Sequence, residues 1–292
     1  MTHKKPVIVG IGEVLWDVFP TGKRAGGAPM NLVYHATQLG AEGYAISAVG
    51  NDLPGTELIN EMDTNNIRHC TAVVEHPTGS VMVELTDGIP SYTIVDSVAW
   101  DNVPASKEAK AIVKRADAIA FGTLAQRSEV SRKNLKKLIK ATPDDCIRYF
   151  DINLRQQFYN EKTIRKLLKL STILKINDEE LEIIKPMFGL ENLSDEEAIV
   201  KLIRKYDLRY VILTAGSRYS HIYNKKGLYS AIDTPKVIVA DTVGAGDSFS
   251  GAFLHSVLSG MSVYEAHKKA VEIAAFVCTQ HGAWPSYELM NP

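Results

Sequence analysis

Short apolar runs alternate with amphipathic stretches along most of the chain. Val7–Ile11, Tyr44–Val49, Ala118–Phe121, Ile147–Ile152, Thr172–Ile176 and Tyr210–Leu213 are β-rich and bounded by Gly, Asp or Asn. They predict buried strands. Helical periods lie near 29–39, 54–65, 105–115, 131–140, 161–169, 178–187 and 195–206. This alternation predicts an α/β fold with a mostly parallel sheet covered by helices on both faces. After residue 241 the pattern turns helical, with helices at about 246–259 and 262–280.

Two stretches break the alternation. Residues 13–27 form a Gly- and Asp-bearing segment between the first strand and the first helix. Residues 70–100 have no helical period. Thr71–Glu75, Ser80–Leu85 and Tyr92–Val95 read as strands, with turn signals at Pro77-Thr78-Gly79 and Asp87-Gly88. In the middle run Val81, Val83 and Leu85 alternate with a mixed face, which suits a small sheet exposed on one side. A β insertion in an α/β body predicts a lid or an oligomer contact.

Composition narrows the class. The chain has 292 residues, 45% hydrophobic and 23% charged, which excludes a disordered or collagen-like polypeptide. The reading is one domain spanning 1–292, with lid segments at about 13–27 and 70–100. The formal charge is −1, from 33 basic and 34 acidic residues, so no nucleic-acid partner or anionic membrane is expected. Arg132, Lys133, Lys136, Lys137 and Lys140 interleave with Leu135, Leu138 and Ile139 as the solvated face of a helix. Cys70, Cys146 and Cys278 lack disulfide or zinc spacing and fit a reducing cytosol, so a cytoplasmic location is expected. The apolar run Val7–Ile11 is too short for a signal peptide, and no stretch approaches the ~18 apolar residues of a membrane span.

Three segments carry candidate chemistry. In Asp241-Thr242-Val243-Gly244-Ala245-Gly246-Asp247, two glycines precede a helix, so backbone N–H groups and the helix dipole meet at an anion-binding turn. Asp247 could accept a proton from an attacking hydroxyl. The plainer alternative makes Asp247 a helix N-cap and the glycines a turn. In Asn177-Asp178-Glu179-Glu180 the carboxylates either complement a helix dipole or, through Glu180 and Asn177, order water around Mg²⁺ on a nucleotide. Gly12-Glu13-Val14-Leu15-Trp16-Asp17 and Gly26-Gly27-Ala28-Pro29-Met30-Asn31 place Asp17 and Asn31 beside glycines, as sugar-hydroxyl partners or as turn residues. Leu15 breaks the dinucleotide G-x-G-x-x-G fingerprint, and no P-loop occurs.

Taken together and in this order, the motifs resemble the ribokinase-like (PfkB) carbohydrate kinase family. Gly50-Asn51-Asp52…Gly55, Asp151-Ile152-Asn153-Leu154-Arg155, Leu213-Thr214-Ala215-Gly216 and Gly282-Ala283 extend the likeness almost end to end. Ala99-Trp100-Asp101 and Lys175-Ile176-Asn177 add a likeness to fructokinases, part of which ketodeoxygluconate kinases share. The resemblance implies a ribokinase-like, mainly parallel sheet sandwiched by helices, with a small β-sheet lid. It implies ATP-dependent phosphorylation of a hexose hydroxymethyl group, with D-fructose as the expected sugar. Asp247 would be the base, and Gly244, Ala245 and Gly246 the anion hole. Asp17, Gly27, Asn31 and Arg155 would face the sugar. Asn177, Thr214, Gly216 and Ser217 would face the nucleotide, and Glu180 would hold Mg²⁺ through water. A K⁺ ion near the anion hole and a homodimer through the lid are further implications. Alternatives are a 2-keto-3-deoxygluconate kinase, a ribokinase, or a catalytically inactive sugar-binding regulator. Tyr219, where many relatives have glycine, predicts a narrowed or restacked nucleotide end.

Overall fold

A computed structural model describes residues 4–86 and 89–290. The predicted turn at Asp87-Gly88 lies outside the described residues. In chain order the elements begin β1 (Val7–Ile11), β2 (Leu15–Phe19), β3 (Gly22–Gly26), α1 (Ala28–Gln38), β4 (Glu42–Gly50), α2 (Leu53–Thr64) and β5 (Arg68–Val74). Next come β6 (Ser80–Thr86), β7 (Ile89–Ile94), α3 (Lys107–Val113), β8 (Ala118–Phe121), α4 (Glu129–Ile139), β9 (Ile147–Asp151) and α5 (Glu161–Leu168). The chain continues through β10 (Ile173–Asn177), α6 (Asp178–Phe188), α7 (Asp195–Tyr206), β11 (Tyr210–Thr214), β12 (Tyr219–Asn224) and β13 (Gly227–Asp233). Two helices close it, α8 (Ala245–Leu258) and α9 (Val263–Cys278).

The larger sheet has the order β13-β12-β11-β10-β9-β8-β1-β4-β5. Every pairing from β11 to β5 is parallel, and β12 and β13 add an antiparallel edge. Strand alternation sorts side chains between two helical layers. Val7, Val9 and Ile11 join a core with α3 to α7, whereas Ile8 joins α1, α8 and α9 on the opposite face. On α4, Leu135, Leu138 and Ile139 are buried while Lys133, Lys136, Lys137 and Lys140 are exposed, as their spacing predicts.

The smaller sheet runs β3-β2-β6-β7. Residues 13–27 supply the β2–β3 hairpin, as expected of an insertion. Thr71–Glu75 differs from expectation. Its residues fall largely in β5, which pairs with β4 in the large sheet, so the small sheet takes only β6 and β7 from the 70–100 stretch. The half-buried positions of β5 reflect its place at the sheet's edge, and one-sided burial reads alike in either sheet. The sequence reading also passed over β12 and β13, whose polar alternation suits an edge hairpin.

Strand order reverses at β1. The chain adds β4 and β5 on one side of it, then returns to add β8 to β11 on the other. Connections diverging from that point leave a crevice beyond the carboxyl ends of the strands, where open α/β sheets bind ligands.

Candidate active site

A cleft of about 780 Å³ occupies that crevice. Its floor comes from residues just beyond the strand ends: Glu13 after β1, Asp151 closing β9, Asn177 closing β10 and Thr214 closing β11. Its wall is one face of the small sheet. Arg24, Asp17, Val81 and Ile94 form a cross-strand row, and the last three line the cleft. A larger groove of about 980 Å³ lies at the amino ends of β10 and β11, the wrong end of a parallel sheet for a ligand site.

The glycine-rich turn settles one alternative. Gly244, with φ 78°, is the residue that caps α8, and no side chain caps this end. Asp247 is therefore the third helical residue and not an N-cap. A Cβ on Gly244 would stand 2.8 Å from the Ala283 methyl, so the tight turn requires glycine. The Ala245 N–H turns back to the Thr242 carbonyl at 3.3 Å. Asp241 braces the loop by accepting from the N–H groups of Val243 and Gly282 at 3.0 Å each. Arg24 of β3 reaches the same carboxylate at 3.2 Å and ties the small sheet to this loop.

Asp247 points into the cleft and accepts a 2.8 Å bond from the Asn31 amide of α1. Its carboxyl is pushed up to about 6, chiefly by loss of water contact and then by the charge of Asp151. The Asn31 bond, Lys175 and Arg155 oppose that shift. Asp17 is raised to about 6 by burial and by Asp247. Glu13 is 3% exposed, its Oε2 has no protein partner, and burial pushes it up to about 7.

Lys175 and Asp151 occupy paired positions on β10 and β9. Tyr149 and Ile173, two residues earlier on each strand, pack toward α8 and α9, so this pair continues the same face beyond the apolar core. They form a buried ion pair at 2.8 Å, close to the N-terminal turn of α8. Burial pulls the Lys175 ammonium down, but the carboxylates of Asp151, Glu180 and Asp247 together outweigh it and the net shift is upward. The sequence reading gave neither residue a role. The signal was present, because a lone lysine inside Ile173-Leu174-Lys175-Ile176 requires a buried partner.

Glu180 and Asn177 form a capping box on α6. Glu180 Oε2 accepts from the Asn177 N–H at 2.9 Å, and the Glu180 N–H donates to Asn177 Oδ1 at 2.8 Å. Glu180 Oε1 accepts from the Leu154 N–H at 2.8 Å. Glu180 and Asn177 both line the cleft. No group of three or more His, Cys, Asp or Glu able to hold a metal occurs among the described residues. This arrangement fits Mg²⁺, which usually rests on one or two carboxylates plus phosphates and water.

Of the expected site residues, Asp17, Gly27, Asn31, Arg155, Asn177, Glu180, Thr214, Gly216, Gly244, Gly246 and Asp247 line one cleft. Ala245 and Ser217 do not contribute to its lining, and Ser217 is exposed on the turn beyond Gly216. Tyr219 also stays outside, stacked on His221 with centroids 4.2 Å apart. Two further motifs serve the scaffold. Asp52 caps α2 through the Gly55 N–H and also holds Thr78, each at 2.8 Å. Asp101 of Ala99-Trp100-Asp101 takes two 2.8 Å bonds from Arg127, whose guanidinium lies 3.9 Å from the Trp100 ring centroid.

Known proteins resemble this chain over almost its whole length. A family profile described as pfkB family carbohydrate kinase matches residues 10–289. A sugar kinase from Pyrococcus horikoshii is 29% identical over 95% of this chain and 92% of its own. The crystal structure of that uncharacterized sugar kinase superposes with a TM-score of 0.84 over 98% of this chain and 97% of its own. A probable fructokinase from Arabidopsis thaliana is 27% identical over 96% of this chain and 94% of its own. A fructokinase from Xylella fastidiosa, solved with bound ATP, shares the fold at a TM-score of 0.85 and 18% identity, over 96% of this chain and 94% of its own. The profile spans nearly the whole chain, and the chain belongs to the pfkB family of carbohydrate kinases.

Proposed function

We propose that this protein transfers the γ-phosphoryl group of ATP to a hydroxymethyl group of a hexose, with D-fructose as its acceptor. The observation that carries the reading is the Asp247 carboxylate. It lies in the first turn of α8, where a helix N-terminus faces a polar cleft, and Asn31 holds it at 2.8 Å. The resemblance to fructokinases supports the choice of sugar.

Asp247 takes the proton of the sugar hydroxyl as that oxygen forms its bond to the γ-phosphorus. The bond from phosphorus to the ADP oxygen breaks, and ADP leaves with those electrons. A pKa of about 6 makes Asp247 a stronger base than an ordinary aspartate while leaving it mostly ionised at neutral pH. The turn at Gly244–Gly246 and the helix dipole stabilise the charge on the transferring group, and losing one such donor costs about 3 kcal/mol. Asp17, Gly27, Asn31 and Arg155 orient the sugar. Thr214, Gly216, Ser217 and Asn177 flank the nucleotide. Glu180 would hold Mg²⁺ through water, and the ion when bound neutralises phosphate charge. The small sheet covers the cleft as a lid and keeps water from the phosphoryl group.

Arg155 is exposed at the cleft, which favours an acidic sugar such as 2-keto-3-deoxygluconate as the second reading. The deciding experiment measures ADP release with Mg·ATP over fructose, glucose, mannose, ribose and 2-keto-3-deoxygluconate. Fructose should give the highest kcat/KM. A higher value for another sugar overturns the acceptor but keeps the kinase. Binding of a sugar without turnover overturns the kinase reading in favour of a sugar-binding regulator.

A further inference from the structure

The Asn31 side chain is held at both ends. Its Nδ2 donates to Asp247 Oδ2 at 2.8 Å, and its Oδ1 accepts from Trp284 Nε1 at 2.8 Å. These partners leave the amide one orientation. An indole N–H only donates, and an ionised carboxylate only accepts. The second Nδ2 hydrogen remains available to the cleft.

Trp284 is itself fixed. Its ring stacks on Tyr34 of α1, with centroids 5.5 Å apart and planes inclined by 13°. The Tyr34 hydroxyl donates to the Pro285 carbonyl at 2.9 Å, and Tyr287 meets His35 Nδ1 at 2.8 Å. Residues 284–287 are thus clamped along α1, and the clamp ends at the amide that touches the proposed base.

We propose that Trp284 is a positioning residue for phosphoryl transfer, acting through Asn31 to orient and tune Asp247. The proposal rests on Asp247 being the base. Removing the indole donor frees the amide to rotate and weakens its bond to the carboxylate. That bond holds the Asp247 pKa down against burial and against Asp151. The other charged or titratable groups that act on this carboxyl are Lys175, Arg155, Glu13, Asp17 and the Tyr149 phenol. None of them touches Trp284 by a hydrogen bond or ring contact described for the chain. The sign follows: with the amide loosened, Asp247 holds its proton to higher pH, and the acid limb of the rate profile moves upward.

Two measurements test this. In ¹⁵N-labelled protein, the Trp284 indole N–H resonance, assigned by its loss in W284F, should titrate with a midpoint near the value of about 6 for Asp247. The titration should vanish in D247N and in N31A. An indole that does not titrate, or that titrates unchanged in D247N, overturns the relay whatever the enzyme phosphorylates. In steady-state assays with the best sugar of the panel, W284F should lower kcat by up to ~3-fold well below pH 6, equivalent to ~0.5 pKa unit, with recovery toward pH 9. Sugar KM should change little. Y287F, which alters the same clamp without touching Asn31, should leave the acid limb in place. In an N31A background W284F should add no further shift, whereas a merely structural tryptophan would cost as much there as in wild type. Turnover that survives in D247N refutes the base. An inactive D247N with an unshifted W284F profile refutes the relay alone.

Discussion

Replacing Glu13 with glutamine should stabilise the protein at alkaline pH without stabilising it in acid. Glu13 is 3% exposed, and burial, followed by the charge of Asp247, lifts its pKa from 4.5 to about 7. The folded protein therefore binds this proton more tightly than the unfolded chain does. Between pH 4.5 and 7 the native state carries more protons, so stability falls as pH rises through that window. At 1.36 kcal/mol per unit, the penalty for holding the charged form at pH 8 reaches about 3 kcal/mol. Glutamine removes the charge and keeps the shape. Its amide nitrogen can replace the unpartnered Oε2, although a buried N–H₂ without an acceptor returns about 1–2 kcal/mol. Urea denaturation at pH 5 and pH 8 gives the answer, with the slope compared to confirm that the unfolding transition is unchanged. The expected result is a higher midpoint for E13Q at pH 8 and no gain at pH 5, a difference of about 2–3 kcal/mol between the two pH values. Equal midpoints at both pH values, or the same gain at both, would refute the reasoning.

Four other outcomes follow from the geometry. D247A should keep the wild-type unfolding midpoint within about 1 kcal/mol or gain on it, and lose 10²-fold or more in kcat at pH 8, read by ADP release. In wild type kcat/KM should fall ~tenfold per unit below pH 6, because the working form of Asp247 is the ionised one. Removing the buried guanidinium in R127A strands Asp101 without its two 2.8 Å bonds and should cost about 3–5 kcal/mol in denaturant unfolding. G244A drives a methyl toward Ala283 at a φ of 78° and should lower kcat more than sugar affinity, checked by kinetics and equilibrium sugar binding.

Much of the fold was readable because burial on both faces leaves an unmistakable mark. Runs such as Ala118–Phe121 and Ile147–Ile152 have no polar side to present, so parallel central strands announce themselves. Edges do not. Thr71–Glu75 carries half-buried positions that suit either sheet, and only pairing with β4 decides between them. The candidate site was legible where residue type and turn chemistry coincide, as at Gly244 and Asp247. It was illegible where function depends on what folds against what. Trp284 sits 253 residues from the Asn31 amide it contacts, and no local pattern reports that meeting. Asp101 and Asp52 show the converse, since their motifs resemble a kinase signature while their carboxylates hold the scaffold.

The position of β1 also bears on how the chain reaches this fold. β1 is made first, yet it lies in the sheet's interior, and its partner β8 lies 110 residues away in the register Ile8↔Ala118. Closing so long a loop adds little to the equilibrium cost, which grows only with the logarithm of length, but such distant pairings slow the search. The unit of β1, β4 and β5 with α1 and α2 can collapse earlier, and until β8 docks it presents Val7, Ile8 and Val9 as an open apolar edge. The same reversal of strand order that opens the cleft thus leaves the folding chain, for a time, with a strand able to pair with the wrong molecule.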